Sequence, residues 1–398
     1  MKVKLGDVCE MLNGFAFRSE GYVDDGFRII RISNVQKGYI EDSSPVFYPL
    51  DSVEAKKYAL EENDLLISLT GNVGRVGILP RELLPATLNQ RVACIKIKNE
   101  SQLAKPYLFN FLNSDYFEAK CIDSSKGVAQ KNMSTEWLKE YEIPLPPLDE
   151  QRRIAAVLDK VSDLIAKRRA QLDKLDELVK ARFVEMFGDP VLNPMKWPEQ
   201  SLENMADIVS GITKGRKARE TELIEVPYMA VSNVKDGYID WTNVKTILAT
   251  KSEIEQYRLL PDDVLMTEGG DPDKLGRGAI IQKPLENCIH QNHIFRVRLN
   301  ESAILPIYFA EFLQHQKAKQ YFLRCAKQTT GIASINMSQL KSLPTLVPPV
   351  TIQQSFAEIV RRINKSKLTI QQSLDKLEML KKALMQEYFG RGVNFWVY

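Results

Sequence analysis

Two stretches of this 398-residue chain write the same long helix twice. "PLPPLDEQRRIAAVLDKVSDLIAKRRAQLDKLDELVKARFVEMFG" starts at Pro144 and ends at Gly188, and "LVPPVTIQQSFAEIVRRINKSKLTIQQSLDKLEMLKKALMQEYFG" ends 202 residues further on, at Gly390. A Pro pair holds the chain extended before each stretch and a Gly closes it, which predicts uninterrupted helices over 149–188 and 351–390. Asp149 is the expected N-cap of the first; Thr351 and Gln354 read as a capping box for the second. Ile154, Leu158, Val161, Ile165, Leu172, Leu175 and Val179 follow the alternating four- and three-residue spacing of a coiled-coil seam. Phe356, Val360, Ile363, Ile370, Leu374, Leu377 and Leu384 repeat it, and Arg168, Arg182, Met186, Lys367, Lys381 and Tyr388 fill the remaining register, with the charged heads reaching to water.

At ~1.5 Å per residue each helix is roughly 57 Å long, and the simplest partner for one is the other. Antiparallel pairing needs no return crossing, because the first helix ends where the second globular segment leaves and the second begins where it comes back. That arrangement implies a pseudo-twofold repeat with two heads held apart in opposed orientation. Duplex DNA has matching symmetry, with half-sites about 34 Å apart on one face, so a ruler for DNA fits the pattern.

The heads are duplicated too. "ISNVQKGYI" (Ile32 to Ile40) returns as "VSNVKDGYI" (Val231 to Ile239), and "YALEENDLL" (from Tyr58) as "YRLLPDDVL" (from Tyr257). "GRVG" at Gly74 faces "GRGA" at Gly276, and "GVAQKNMS" at Gly127 faces "GIASINMS" at Gly331. Between these motifs run short β-rich segments such as "FRIIRI" and "HIFRVRL", interrupted by Gly, Asn and Asp turns and by helical pieces such as "YLFNFLNSDYFEAKC". The expected fold is therefore α+β: heads over 1–148 and 189–350, spacer helices over 149–188 and 351–390 paired as a long antiparallel two-helix coiled coil, and a tail over 391–398.

The duplicated helix starts, "IPLPPLDEQRRIAAVLDK" and "LVPPVTIQQSFAEIVRRI", together with the "SNV..GYI" turns and the "NMS" motifs, resemble the specificity subunits of type I restriction-modification systems, over about residues 1 to 390. The second helix departs from the family's Glu-Gln, carrying Gln353 and Gln354 instead. The resemblance implies two target recognition domains, each reading one half of a bipartite, asymmetric double-stranded DNA site. It also implies helices that space them and dock two modification subunits carrying S-adenosylmethionine for adenine N6 methylation. Two restriction subunits using ATP and Mg can join. The chain itself would hold no cofactor and perform no catalysis.

The residues agree with that expectation. "NPMKW" at Asn193 lacks the second proline of an adenine-methyltransferase motif, and "GNVGRVG" at Gly71 has the wrong spacing for a dinucleotide loop. No phosphate-binding G-x-x-x-x-G-K-S/T occurs, and Asp51 and Glu54 in "DSVEAKK" sit too close for a nuclease metal pair. His290 and His293 have no further ligand nearby in sequence, so no metal is expected. A formal charge of +3 places any basic surface locally. The scattered Cys9, Cys94, Cys121, Cys288 and Cys325 read as free thiols of a cytoplasmic protein, and no apolar run reaches membrane-spanning length.

The expected DNA contacts lie in loops that mix basic anchors with base-reading amides. In the first head they are Arg18, Thr70, Asn72, Arg75, Asn89, Gln90, Lys126, Gln130 and Lys131. In the second they are Lys214, Arg216, Lys217 and Arg219 of "TKGRKARE", then Lys274, Arg277, His290, Gln291, Asn292, Gln328 and Thr330. An adaptor whose coiled coil carries two protein-binding heads is the competing reading.

Overall fold

A computed structural model describes residues 1–124, 132–215, 222–271, 275–329 and 332–390, with the side chains of 328, 329 and 332 excepted. It divides into two compact units, Met1–Arg169 with Gln372–Tyr398, and Ala170–Gln371. Each unit is α+β and takes part of both long helices.

In the first unit an antiparallel sheet runs in the order Cys9–Asn13, Val92–Ile97, Leu65–Ser68, Val76–Ile78. A second sheet orders Phe47–Tyr48, Phe27–Ile30, Ala86–Leu88, Ala59–Leu60, with Phe27–Ile30 and Ala86–Leu88 parallel. Helices Lys105–Leu112 and Asp115–Ser124 bring Tyr107, Leu108, Phe111 and Phe117 into a core shared with Leu65, Ile67, Val76 and Ile95. The second unit repeats the first sheet as Ala206–Ser210, Ile294–Leu299, Val264–Thr267, Gly278–Ile280, and pairs Ile224–Met229 with Lys245–Ala249 and Ile289–His290. It adds a small sheet, Gly269–Gly270, Ile332–Ser334, Lys327–Thr329.

The repeated motifs turn out to be turn locks. Asn34 is buried, accepts from the Arg31 N–H at 2.9 Å and donates to the Glu41 carbonyl at 2.8 Å. Asn233 does the same between Ala230 and Asp240, at 3.0 and 2.9 Å. Gly38 (φ +95°) and Gly237 (φ +81°) turn these hairpins in a backbone region that disfavours a Cβ. In the "NDLL" and "DDVL" repeats Asp64 and Asp263 are buried and accept from the Glu61 and Leu260 N–H groups at 2.9 and 2.7 Å. Such short polar side chains supply the backbone partners that a buried turn otherwise lacks.

The long helices run over Leu148–Phe187 (40 residues) and Val350–Met385 (36 residues), the second ending in a π-helical turn, Gln386–Gly390. They start one residue earlier than expected, so Asp149, Thr351 and Gln354 are not caps. The Pro147 carbonyl accepts from Glu150 and Gln151 at 3.0 Å each, and the Pro349 carbonyl from Ile352 and Gln353 at 3.0 and 3.2 Å. Each start is instead held by one fully buried glutamine. Gln151 donates to the Gln102 and Pro146 carbonyls at 3.0 and 2.8 Å and accepts from the Ala104 N–H at 2.8 Å. Gln353 donates to the Ala303 and Pro348 carbonyls at 3.2 and 2.8 Å and accepts from Leu305 at 2.7 Å. Gln353 is thus the counterpart of Gln151. The family's Glu-Gln is replaced by Ile352–Gln353, not by Gln353–Gln354, because the three-bond socket fixes the register.

Within each unit the helix segments pair antiparallel. In the first, Ile154, Ala155 and Leu158 share a core with Leu384, Met385, Tyr388 and Phe389, while Arg169 donates to Glu378 at 2.6 Å. In the second, Val179, Phe183 and Phe187 pack with Phe356, Val360 and Ile363, and Lys367 bonds Asp176. The expected seam is buried or half-buried at every position but Arg182. Its end differs: Arg182 is exposed, and Phe183 and Phe187 turn inward instead, Phe183 stacking on Tyr308 and His315 at centroid distances of 5.4 and 4.3 Å. A helix of 3.6 residues per turn drifts about 20° per heptad from a 3.5 repeat, so by the fifth heptad the buried stripe has moved toward the head. Cys9, Cys94, Cys121 and Cys288 are buried free thiols; Cys325 is half-buried. No described helix is long and apolar enough to cross a membrane.

Candidate nucleic-acid interface

Three loops of the first unit converge at one edge, tied by backbone hydrogen bonds. The Phe15 N–H donates to Leu88 at 2.9 Å and the Phe15 carbonyl accepts from Gln90 at 3.0 Å. Leu69 donates to Arg91 at 3.0 Å, and Met133 to Leu69 at 2.8 Å. A Cβ on Gly14 would lie 2.2 Å from the Asn89 carbonyl oxygen, so only glycine allows this approach. The Leu69–Arg75 loop folds around Ser68, whose hydroxyl donates to the Asn72 carbonyl at 2.5 Å and accepts from the Arg75 N–H at 3.1 Å.

The second unit repeats this bonding. Ile212 donates to His290 at 2.8 Å and accepts from Asn292 at 3.1 Å, Glu268 donates to His293 at 3.0 Å, and Ile335 to Glu268 at 2.8 Å. Gly211 stands for Gly14, its Cβ position 2.0 Å from the His290 carbonyl oxygen. The correspondence sets Leu88 against His290, Asn89 against Gln291, Gln90 against Asn292 and Arg91 against His293.

The candidates fall unevenly on this frame. Arg18, Asn72, Gln90 and Lys214 are exposed; Thr70, Asn89, Gln291 and Asn292 are half-buried. Arg75 is half-buried with its guanidinium donating to Gln36 at 2.5 Å, which ties two loops of the same head together; Arg277 is likewise half-buried. His290 is a correction. It occupies Leu88's core position, fully buried, with its ring nitrogens 3.1 and 3.3 Å from the Tyr257 and Val209 carbonyls. Burial pushes its pKa down to about 4, so the ring is neutral and presents nothing to a ligand. The histidine at the surface is His293, whose Nδ1 lies 2.7 Å from Glu268. Lys126, Gln130, Lys131, Arg216, Lys217, Arg219, Lys274, Thr330 and the Gln328 side chain lie outside the described residues. Arg91 was not among the expected contacts; its place beside the Asn-Gln pair was the signal available in sequence. Among the described residues no group of His, Cys, Asp and Glu is arranged to hold a metal ion.

Comparison with known proteins agrees with the duplicated architecture. A family model, the type I restriction modification DNA specificity domain, matches residues 1–175 and 194–379. The chain is 25% identical to the type I restriction enzyme EcoKI specificity subunit of Escherichia coli K12, over 90% of this chain and 80% of that protein. It is also 25% identical to the EcoBI specificity subunit of E. coli, over 92% and 78% of the two chains. A crystal structure of the type I restriction-modification S subunit from M. genitalium superposes over 99% of this chain and 96% of its own at a TM-score of 0.59, with 14% identity. A chain from a structural study of complex assembly and conformational transition in a type I R-M system superposes over 97% and 96% at 0.57, with 17% identity. These two share the fold.

Proposed function

Since this chain belongs to the type I restriction modification DNA specificity family, we propose that it supplies the DNA address of such a system. Each of its two heads reads one half of a split, asymmetric duplex site. The observation that carries this reading is the repeated loop frame. Both heads keep the same backbone hydrogen bonds around Asn89–Arg91 and Gln291–His293 while the side chains differ. Phosphate contacts position such a frame and exposed side chains read base edges, so one scaffold with two sets of side chains suits two different half-sites.

The partners in this reading are double-stranded DNA, two modification subunits docked along the long helices, and restriction subunits where the system has them. S-adenosylmethionine sits on the modification subunit, ATP and Mg on the restriction subunit, and no cofactor or catalytic step belongs to this chain. The unpaired cysteines suit a reducing cytosol.

Purified protein mixed with an active cognate modification subunit and S-adenosylmethionine should methylate adenine at one split sequence. Methylation without sequence preference, or none by a modification subunit shown to be active, overturns the reading in favour of a protein-binding adaptor.

A further inference from the structure

The turn shared by both heads has most of its backbone hydrogen-bonding groups committed. Asn89 and Gln90 donate to Ile30 and Phe15 at 3.2 and 3.0 Å, Val92 donates to Asn89 at 3.0 Å, and the Arg91 carbonyl accepts from Leu69. In the second head Gln291 and Asn292 donate to Met229 and Ile212 at 3.0 and 3.1 Å, Ile294 donates to Gln291 at 2.9 Å, and the His293 carbonyl accepts from Glu268. Asn89 also accepts from the Arg91 N–H and Gln291 from the Val231 N–H, each at 3.4 Å, and the groups left to act outward are mainly side chains. They are Asn-Gln-Arg in one copy and Gln-Asn-His in the other. Every residue has been exchanged, yet the order of amide, amide and basic group survives between buried flanks, Leu88 and Val92 on one side and His290 and Ile294 on the other.

A solvated turn has no reason to keep that order while changing every residue. A turn that must present hydrogen-bonding groups to two different sequences does. The third position carries the sharper distinction. Arg91 and His293 are both exposed. The Arg91 guanidinium has no ion-pair partner among the described residues, and Leu69, beside it in the backbone ladder, is apolar and buried. His293 instead meets Glu268, Leu69's counterpart, at 2.7 Å through Nδ1, which orients the ring and leaves Nε2 as its remaining polar atom.

Resting on the specificity reading above, we propose that Arg91 and His293 are base-discriminating residues. Arg91 reads guanine through a two-pronged contact to O6 and N7 in the half-site of the first head. His293, positioned by Glu268, makes a single contact to a base edge in the half-site of the second. Arg91 is thereby a specificity determinant rather than a phosphate anchor. A guanidinium forms the guanine contact because its two parallel N–H groups match the two acceptors; a lysine keeps the charge and loses the fork.

The test uses the full chain with its modification subunit, S-adenosylmethionine and a library of duplexes with randomised sites, scored base by base for methylation. Wild type should give one split motif. Arg91→Ala should flatten the preference for one G·C pair in one half-site by about 5- to 150-fold, the range of one two-pronged base contact. The other positions and the other half-site should keep their preferences. Arg91→Lys should not restore that pair. His293→Ala should flatten one position in the opposite half-site only, and Glu268→Leu, copying Leu69, should weaken preference at that same position. Uniform weakening across the motif that Arg91→Lys restores would make Arg91 a phosphate contact and overturn the proposal, as would unchanged motifs or effects in the wrong half. Thermal melting of each variant separates misfolding from loss of reading. If wild type yields no motif, the specificity reading fails first and this assignment with it; a wild-type motif unmoved by the substitutions fails this assignment alone.

Discussion

Truncating Phe389, in the last described turn of the chain, should destabilise the head built from the first residues. Phe389 is 4% exposed and lies edge-on to Tyr107 and Phe111, at centroid distances of 5.7 and 5.4 Å, inside the first unit's core. Phe389→Ala removes a buried ring and both edge contacts, a loss of about 3–5 kcal/mol where the cavity cannot collapse. Against a domain stability of roughly 5–15 kcal/mol that is a large share. Native-state hydrogen exchange reads it directly: amides of Val92–Ile97 and Lys105–Leu112 should lose protection, whereas those of Ile294–Leu299 and Pro306–Gln314 should keep most of theirs. Phe187→Ala supplies the mirror experiment, since Phe187 packs against Tyr308 and Phe356 at 4.7 and 5.4 Å in the second unit. If Phe389→Ala leaves the first unit's protection unchanged, the C-terminal helix is a spacer alone and its end does not complete that core.

Gln151→Ala or Gln353→Ala should each cost about 2–4 kcal/mol in denaturant titration, because each leaves one part-buried N–H, one part-buried carbonyl and one buried carbonyl without the glutamine partner. Acid should weaken the second unit through His290. Its folded pKa of about 4 lies below the unfolded value of 6.5, so the unfolded chain binds the extra proton and stability falls as pH drops from 6.5 toward 4. The limiting loss is about 3 kcal/mol, and His290→Leu, matching Leu88, should flatten that slope in pH-dependent melts. Inserting one heptad at equivalent points of both long helices adds about 10 Å of helix. It should lengthen the unread spacer of the methylated motif by about three base pairs and leave both half-sites unchanged; altered half-site bases would refute the ruler role.

The repeats and helices were legible because they are local. A 3.5-residue apolar period, a Pro pair before it and a Gly after it need no knowledge of what lies across the core. The candidate interface was legible only as loops. Arg18, Gln90, Asn72 and Lys214 are on the surface, but His290, expected in a contact loop with Gln291 and Asn292, takes the core place of Leu88. The mistake has a physical origin, since a histidine beside amides in a short turn reads as polar whether its ring faces water or two buried carbonyls. The glutamine sockets escaped for a similar reason. Gln151 and Gln353 sit among charged helix-start residues, and only the carbonyls of Gln102 and Ala303, 49 and 50 residues away, distinguish them from solvated neighbours.

By itself, then, the sequence determined that the chain is a duplicated α+β unit with two long helices, because periodicity and turn chemistry act over a few residues. The tertiary structure decided which parts belong together. Residues 372–390 complete the first unit and residues 170–187 the second, so each core is closed by a helix segment from the other repeat. No local pattern encodes that choice. It follows from which apolar face finds a partner once the helices lie antiparallel, with Phe389 against Tyr107 and Phe187 against Tyr308.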